Sequence, residues 1–209
     1  MIDGYFKEAN NKMVDYLVDV GALKSSRIIE AFRNIDRADF VSDRDSIDVY
    51  ADYPLSIGNG QTISQPRTVA MMLEMLLPNE GDRILDIGSG SGWTTALLAY
   101  IAGEGGSVVG VERVGELVKF GSGNLKKYKF KNAKIVEAKE ELGVVGEKFD
   151  RILVSAAADE LPLELIKQLE VGGKLVIPIQ NSVFEIIKKA DGSFYSNEHY
   201  GFRFVPLIY

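Results

Sequence analysis

Cysteine is absent from this 209-residue sequence, and histidine occurs once, as His199. Disulfides, thiolate catalysis and cysteine-ligated zinc are therefore excluded. A histidine-based metal site or a Ser-His-Asp triad would rest on His199 alone, which reads more simply as a solvated loop residue, so no metal is expected. Long hydrophobic runs are also missing: Ala96 to Ala102 falls far short of a membrane span. The stretch Met1-Ile2-Asp3-Gly4-Tyr5 has no basic region leading into an apolar one, so no secretory signal is expected. Nor is there an excess of positive charge. The net charge of −6 argues against a general nucleic-acid scaffold. The one basic run, Lys126 to Lys134 with five lysines, reads as a solvated helix end and loop. These absences lead us to expect a soluble cytoplasmic monomer without nucleic-acid or membrane partners. Its chemistry would come from carboxylates, hydroxyls, backbone groups and a bound cofactor.

What is present is an ordinary globular composition, 46% apolar and 26% charged, which at this length favours one main domain. Phe6, Met13, Val14, Leu17 and Val18 recur at helical spacing, and Gly21 would stop that helix. Ser25 and Ser26 are placed to cap a second helix through Ile28, Ile29 and Phe32 that fades by Arg37. Asp43 to Asp48 reads as an acidic loop. Asp52 to Pro66, with two prolines, two glycines and no helical period, predicts an extended structured loop rather than a strand or helix. Pro66 can open a helix carrying Val69, Met72, Leu73 and Leu76, which Pro78 and Gly81 end.

From Asp82 the pattern changes to short apolar strands alternating with helices. Strands are predicted at Arg83–Ile87, Ser107–Val111, Ala133–Glu137, Phe149–Ser155 and Lys174–Ile179. Helices are predicted at Thr94–Ala102, Gly115–Tyr128 and Leu163–Leu169. Two closing strands are expected at Phe184–Ala190 and Phe202–Leu207, with Asp191-Gly192 as a turn signal. Strands this apolar belong in a parallel sheet covered on both faces. The predicted class is a doubly wound α/β fold with an N-terminal helical extension.

The run Asp86-Ile87-Gly88-Ser89-Gly90-Ser91-Gly92 falls where the first of these strands meets its helix, the place where open α/β sheets bind ligands. Glycines there let the backbone approach a ligand closely. Such a loop serves either a dinucleotide or S-adenosylmethionine. Glu112, ending the next strand, can accept from ribose hydroxyls in both classes. The dehydrogenase spacing is not matched, because Trp93 stands at the later glycine position. Asp86 beside a pyrophosphate would bring two like charges together, whereas S-adenosylmethionine is cationic and carries no phosphate. Trp93 reads as a core residue before a cofactor platform.

With the loop in place, a wider likeness emerges. Tyr53 to Pro66, with its Gly60-Gln61-Thr62-Ile63-Ser64 element, resembles a motif of the protein-L-isoaspartate O-methyltransferases. The resemblance continues through Leu85 to Gly92, Val111-Glu112-Arg113, Phe149 to Ala158, Gln168-Leu169, Gly172 to Pro178, and Arg203-Phe204-Val205-Pro206-Leu207. It implies a mostly parallel seven-stranded methyltransferase sheet and S-adenosylmethionine as cofactor. The substrates it implies are isoaspartyl-containing proteins and peptides, whose stray carboxylates are methylated in repair. By resemblance Ser64 is the catalytic residue, and Thr62, Ile63, Val205 and Pro206 bind substrate. Asp86, Gly88, Ser89, Gly90, Glu112 and Ala138 would bind cofactor. The single domain over 1–209 would then divide into a helical extension (1–50), a substrate-side loop and helix (51–80) and a cofactor-binding core (81–209).

The chain departs from the family pattern in two places. Where the family shows Gly-Asp-Gly after the third strand, this chain has Glu137-Ala138-Lys139, so the acid's place falls on Ala138. Glu140 or Glu141 is the nearest substitute. Gly121 and Gly123 also lie inside a predicted helix, where each costs about 1 kcal/mol relative to alanine, and a broken or mobile segment is expected there. The competing readings are a methyltransferase of this lineage with another substrate, a degenerate binding module, and a nucleotide-dependent dehydrogenase.

Overall fold

The computed structural model describes residues 2–43 and 48–208. The acidic loop expected over Asp43 to Asp48 lies largely outside the described residues. Two helices open the chain, α1 (Ile2–Asp19) and α2 (Ser26–Asn34), followed by a 3₁₀ turn at Arg37–Phe40. A short hairpin of β1 (Leu55–Gly58) and β2 (Gln61–Ile63) leads into α3 (Pro66–Leu76). The α/β part then runs β3 (Arg83–Ile87), α4 (Trp93–Ala102), β4 (Ser107–Glu112), α5 (Gly115–Lys126), β5 (Ala133–Glu137) and β6 (Phe149–Val154). It ends with α6 (Leu163–Gln168), β7 (Leu169–Ile179), β8 (Ser182–Lys188) and β9 (Phe194–Tyr200).

Seven strands form one sheet in the order β5-β4-β3-β6-β7-β8-β9. The pairs from β5 to β7 are parallel, while β8 and β9 are antiparallel. Strand β3 lies between β4 and β6, and the chain winds outward from it twice, first to β5 and then from β6. The crevice at the carboxyl ends of β3 and β6 is therefore the topological switch point. Alternation along the strands divides the interior into two layers. Ile84, Val108, Leu153 and Val176 face one layer, whereas Leu85, Val109, Ile152 and Leu175 face the other. The first layer also holds Leu17, Phe32 and Phe40 from the N-terminal elements beside Leu73 of α3 and Leu97 of α4.

Several expectations need correction. Residues 52–66 are not strand-free: the tip Asn59-Gly60 has φ of 52° and 71°, the positive angles that close a tight hairpin, and Leu55 pairs with Ile63 across it. Asn-Gly is a residue pair suited to such a turn. Ser25 does not cap α2 through its hydroxyl. Its Oγ donates to Glu74 Oε2 at 2.6 Å, and Glu74 Oε1 accepts the Lys24 and Ser25 N–H groups, so α3 anchors the start of α2. Helix α5 is continuous through both glycines.

The last strand is Phe194–Tyr200, not Phe202–Leu207. The turn at Asp191-Gly192 does form, with Lys189 N–H donating to Ser193 O at 2.8 Å, and so tight a turn returns the chain beside β8 at once. Residues 202–207 instead cross to the carboxyl end of β6. There Ala157 N–H donates to Val205 O (2.8 Å) and Leu207 N–H to Ala157 O (2.7 Å). This crossing brings the C-terminal segment to the switch point.

Candidate active site

A cleft of about 1020 Å³, open to solvent, lies at the switch point. Its floor is the glycine loop after β3. Gly88 and Ser89 donate their N–H groups to Val111 O at 2.9 and 3.2 Å, so the loop is pinned to the end of β4. Gly92 (φ 86°) lies against α5, and a Cβ on Gly121 would stand 2.7 Å from Gly90 O. Helix α5 therefore packs directly on the loop's backbone. Asn124, buried on the same helix, donates to Ser91 O at 3.0 Å.

Glu112, at the end of β4, is buried and accepts from Gly90 N–H through Oε2 and from Val114 N–H through Oε1, both at 2.9 Å. It shapes the loop and still presents lone pairs to the cleft. Asp86 shares its strand face with Ile84, toward α4, and is fully buried. Its Oδ2 accepts from the Thr94 and Thr95 hydroxyls at 2.7 and 2.6 Å. Burial pushes its pKa up to about 6, against the two threonine hydrogen bonds, and the nearby Glu112 charge adds to the rise.

Of the residues expected at the site, Thr62, Ile63, Ser64, Gly88, Ser89, Gly90, Glu112, Ala138, Val205 and Pro206 all line this cleft. Asp86 does not; it sits beneath the loop. The hairpin and Ser64 form the wall opposite the glycine loop, and Val205 and Pro206 reach it through the crossing to Ala157. Ala138, Leu142 and Gly143 close the end beyond Glu112; Glu141 lines the cleft there and Glu140 does not. Arg67 is exposed and outside the lining.

Two residues of the site were not anticipated in full. Trp93 is both core and wall: it is 1% exposed, packs edge-on to Phe32 at 5.5 Å and lines the cleft. Arg37 is completely buried, donates to Ser64 O at 2.7 Å, and lies 4.7 Å from the Trp93 ring centroid. Its role has no sequence signal, because its partners are main-chain carbonyls.

Three buried polar atoms have no partner among the described residues: Asp86 Oδ1, Ser89 Oγ and Trp93 Nε1. Such atoms are uncommon, and all three belong to the glycine loop or the residues flanking it. With a glycine cradle and a carboxylate at the end of β4, they suit a polar, nucleoside-containing cofactor.

Fold and site together define a Rossmann-like α/β protein with an open cleft at its switch point. The family model for protein-L-isoaspartate(D-aspartate) O-methyltransferases matches residues 8–209, and the chain belongs to that family. A protein-L-isoaspartate O-methyltransferase of Methanopyrus kandleri is 38% identical over 99% of this chain and 94% of its own length. One from Pyrococcus horikoshii is 39% identical over 94% of this chain and 91% of its own. A Plasmodium falciparum crystal structure described as such an enzyme, in complex with S-adenosyl-L-homocysteine, superposes with a TM-score of 0.84. It is 29% identical and covers 94% of this chain and 97% of its own. No helix among the described residues is long and apolar enough to cross a membrane.

Proposed function

We propose that this protein transfers a methyl group from S-adenosylmethionine to the carboxylate of L-isoaspartyl residues in damaged proteins. The observation that carries the reading is the shared cleft: Ser64, Thr62 and Ile63 form one wall and the Gly88-Ser89-Gly90 loop faces them. In this reading Gly88, Ser89, Gly90, Glu112 and Ala138 hold the cofactor, with Asp86 supplying negative charge from beneath the loop. S-adenosylmethionine brings a methyl group on a cationic sulfur. Ala138 and Leu142 offer an apolar wall to its base, beside the Glu141 carboxylate.

An acceptor carboxylate with a pKa near ~4 is already ionised at neutral pH, so the chain needs no general base. Its task is to hold the acceptor in line, which is catalysis by positioning. Ser64 Oγ donates to the acceptor carboxylate and orients it. Thr62, Ile63, Val205 and Pro206 receive the peptide on either side. A chain with one histidine and no cysteine is adequate for such a reaction. We further propose a single domain acting as a cytoplasmic monomer, without nucleic-acid or membrane partners; the net charge of −6 supports the exclusion of nucleic acid.

The test is a paired-peptide assay with labelled S-adenosylmethionine. Label should pass to an isoaspartyl peptide and not to its aspartyl twin; equal labelling of both, or of neither, sinks the reading. Ser64→Ala should lower kcat about 10- to 100-fold, the worth of one hydrogen bond to a charged group.

A further inference from the structure

We propose that Arg37 is a positioning residue for the reaction: from the 3₁₀ turn it clamps the Ser64 main chain at a fixed distance from the cofactor side of the cleft. The inference rests on the reading that Ser64 orients the acceptor carboxylate. The guanidinium is completely buried and distributes its donors to three carbonyls: Nε to Val49 O at 2.9 Å, Nη1 to Ser64 O at 2.7 Å and Nη2 to Tyr53 O at 3.3 Å. The bond to Ser64 is the shortest of the three.

Ser64 needs such a clamp because it belongs to neither neighbouring element. Strand β2 ends at Ile63, and α3 begins at Pro66, which has no N–H to donate. Among the described residues the Ser64 carbonyl accepts from no donor other than Arg37. The guanidinium thus holds the Ser64–Gln65 peptide plane, which begins at the Cα that bears the hydroxyl.

The other side of the same group fixes the reference point. Arg37 lies over the ring of Trp93, which opens α4 directly after the glycine loop and lines the cleft. One buried cation therefore spans from the substrate wall to the cofactor wall. Its planar fork matches three carbonyls and an aromatic face at once, which a lysine ammonium cannot do. In a reaction run by alignment, a displacement of about 1 Å is enough to lower the rate about 100-fold.

A double-mutant cycle on the full chain tests this. Arg37→Lys should lower kcat for an isoaspartyl peptide about 10-fold or more, with peptide KM and cofactor Kd changed less than about threefold. In the Ser64→Ala background the same substitution should change kcat by less than about twofold, because its effect is transmitted through Ser64. The same loss in both backgrounds, or a wild-type kcat in Arg37→Lys, would overturn the proposal while leaving the Ser64 reading intact. Full activity of Ser64→Ala alone would remove that reading and this proposal with it. Should Arg37→Lys fail to fold, Arg37→Gln, which is neutral and retains an amide donor, takes its place in the cycle. Loss of folding in both variants would assign Arg37 to stability alone and overturn the positioning role.

Discussion

Asp86 is a carboxylate held inside the sheet, with one oxygen bound to two threonine hydroxyls and the other without a partner among the described residues. Its pKa of about 6 lies above the ordinary 3.8, so the folded chain binds the proton more tightly than the unfolded one. Ionisation therefore opposes folding: stability is lost as pH rises from about 4 to about 6, and the loss persists above that range. Asp86→Asn should be more stable than the parent at neutral pH by about 3 kcal/mol, the equivalent of roughly two pKa units. The gain should largely vanish at about pH 4, which denaturant titrations at the two pH values would check. In the proposed reading the ionised form attracts the cationic cofactor. Affinity for S-adenosylmethionine should then weaken about tenfold between pH 7 and pH 5 in calorimetry, and Asp86→Asn should bind weakly without that pH dependence.

At the scale of elements, α5 shows how two identical residues acquire opposite meanings. Gly121 and Gly123 look alike in the sequence, and both predict a weakened helix. A Cβ at Gly121 would lie 2.7 Å from Gly90 O and 2.9 Å from Ile135 Cδ1, whereas one at Gly123 would meet nothing within 4 Å. Gly121→Ala should destabilise the protein by about 1–3 kcal/mol through overpacking and weaken cofactor binding by pushing on the glycine loop. Gly123→Ala, at an exposed position, should stabilise it by up to about 1 kcal/mol. Thermal melts with and without cofactor separate the two. The hairpin β1–β2 is a milder case. Residues 52–66 read as a loop because β1 and β2 are too short and too polar for alternation to mark them as strands.

Over the whole molecule, the N-terminal elements are integrated with the α/β part. Tyr128, just after α5, stacks on Phe40 at 5.7 Å, donates to Asp39 Oδ2 and accepts from Asp36 N–H, both at 2.8 Å. Burial and the Asp39 carboxylate hold its hydroxyl far above the usual phenol range, so it remains a donor at any physiological pH. Tyr128→Phe should cost about 1–3 kcal/mol, because the hydroxyl's two hydrogen bonds, to Asp39 Oδ2 and from Asp36 N–H, are lost. Urea unfolding would measure the loss, and kcat well below the transition should stay near the parent value. Arg37 lies in the same 3₁₀ turn, and the stack on Phe40 that a phenylalanine keeps would hold that turn and the proposed clamp on Ser64 in place.

The sequence by itself determined the strand–helix alternation, the glycine loop after the first strand of the α/β part and Glu112 at the end of β4, while the Thr62-Ile63-Ser64 segment was picked out by its resemblance to a family motif. Those features are local: periodicity, turn chemistry and short motifs fix them within a few residues. Tertiary structure alone decided that Asp86 lies under the loop rather than in the cleft, and that Gly121 packs on the glycine loop while Gly123 faces open space. It also decided that the last strand forms at Phe194–Tyr200, sending Val205 and Pro206 to the switch point, and that Arg37 joins the two walls. Each of these depends on partners far apart in the chain, often backbone carbonyls. A carbonyl is the same at every residue, so nothing in the order of side chains announces which one a buried donor will meet.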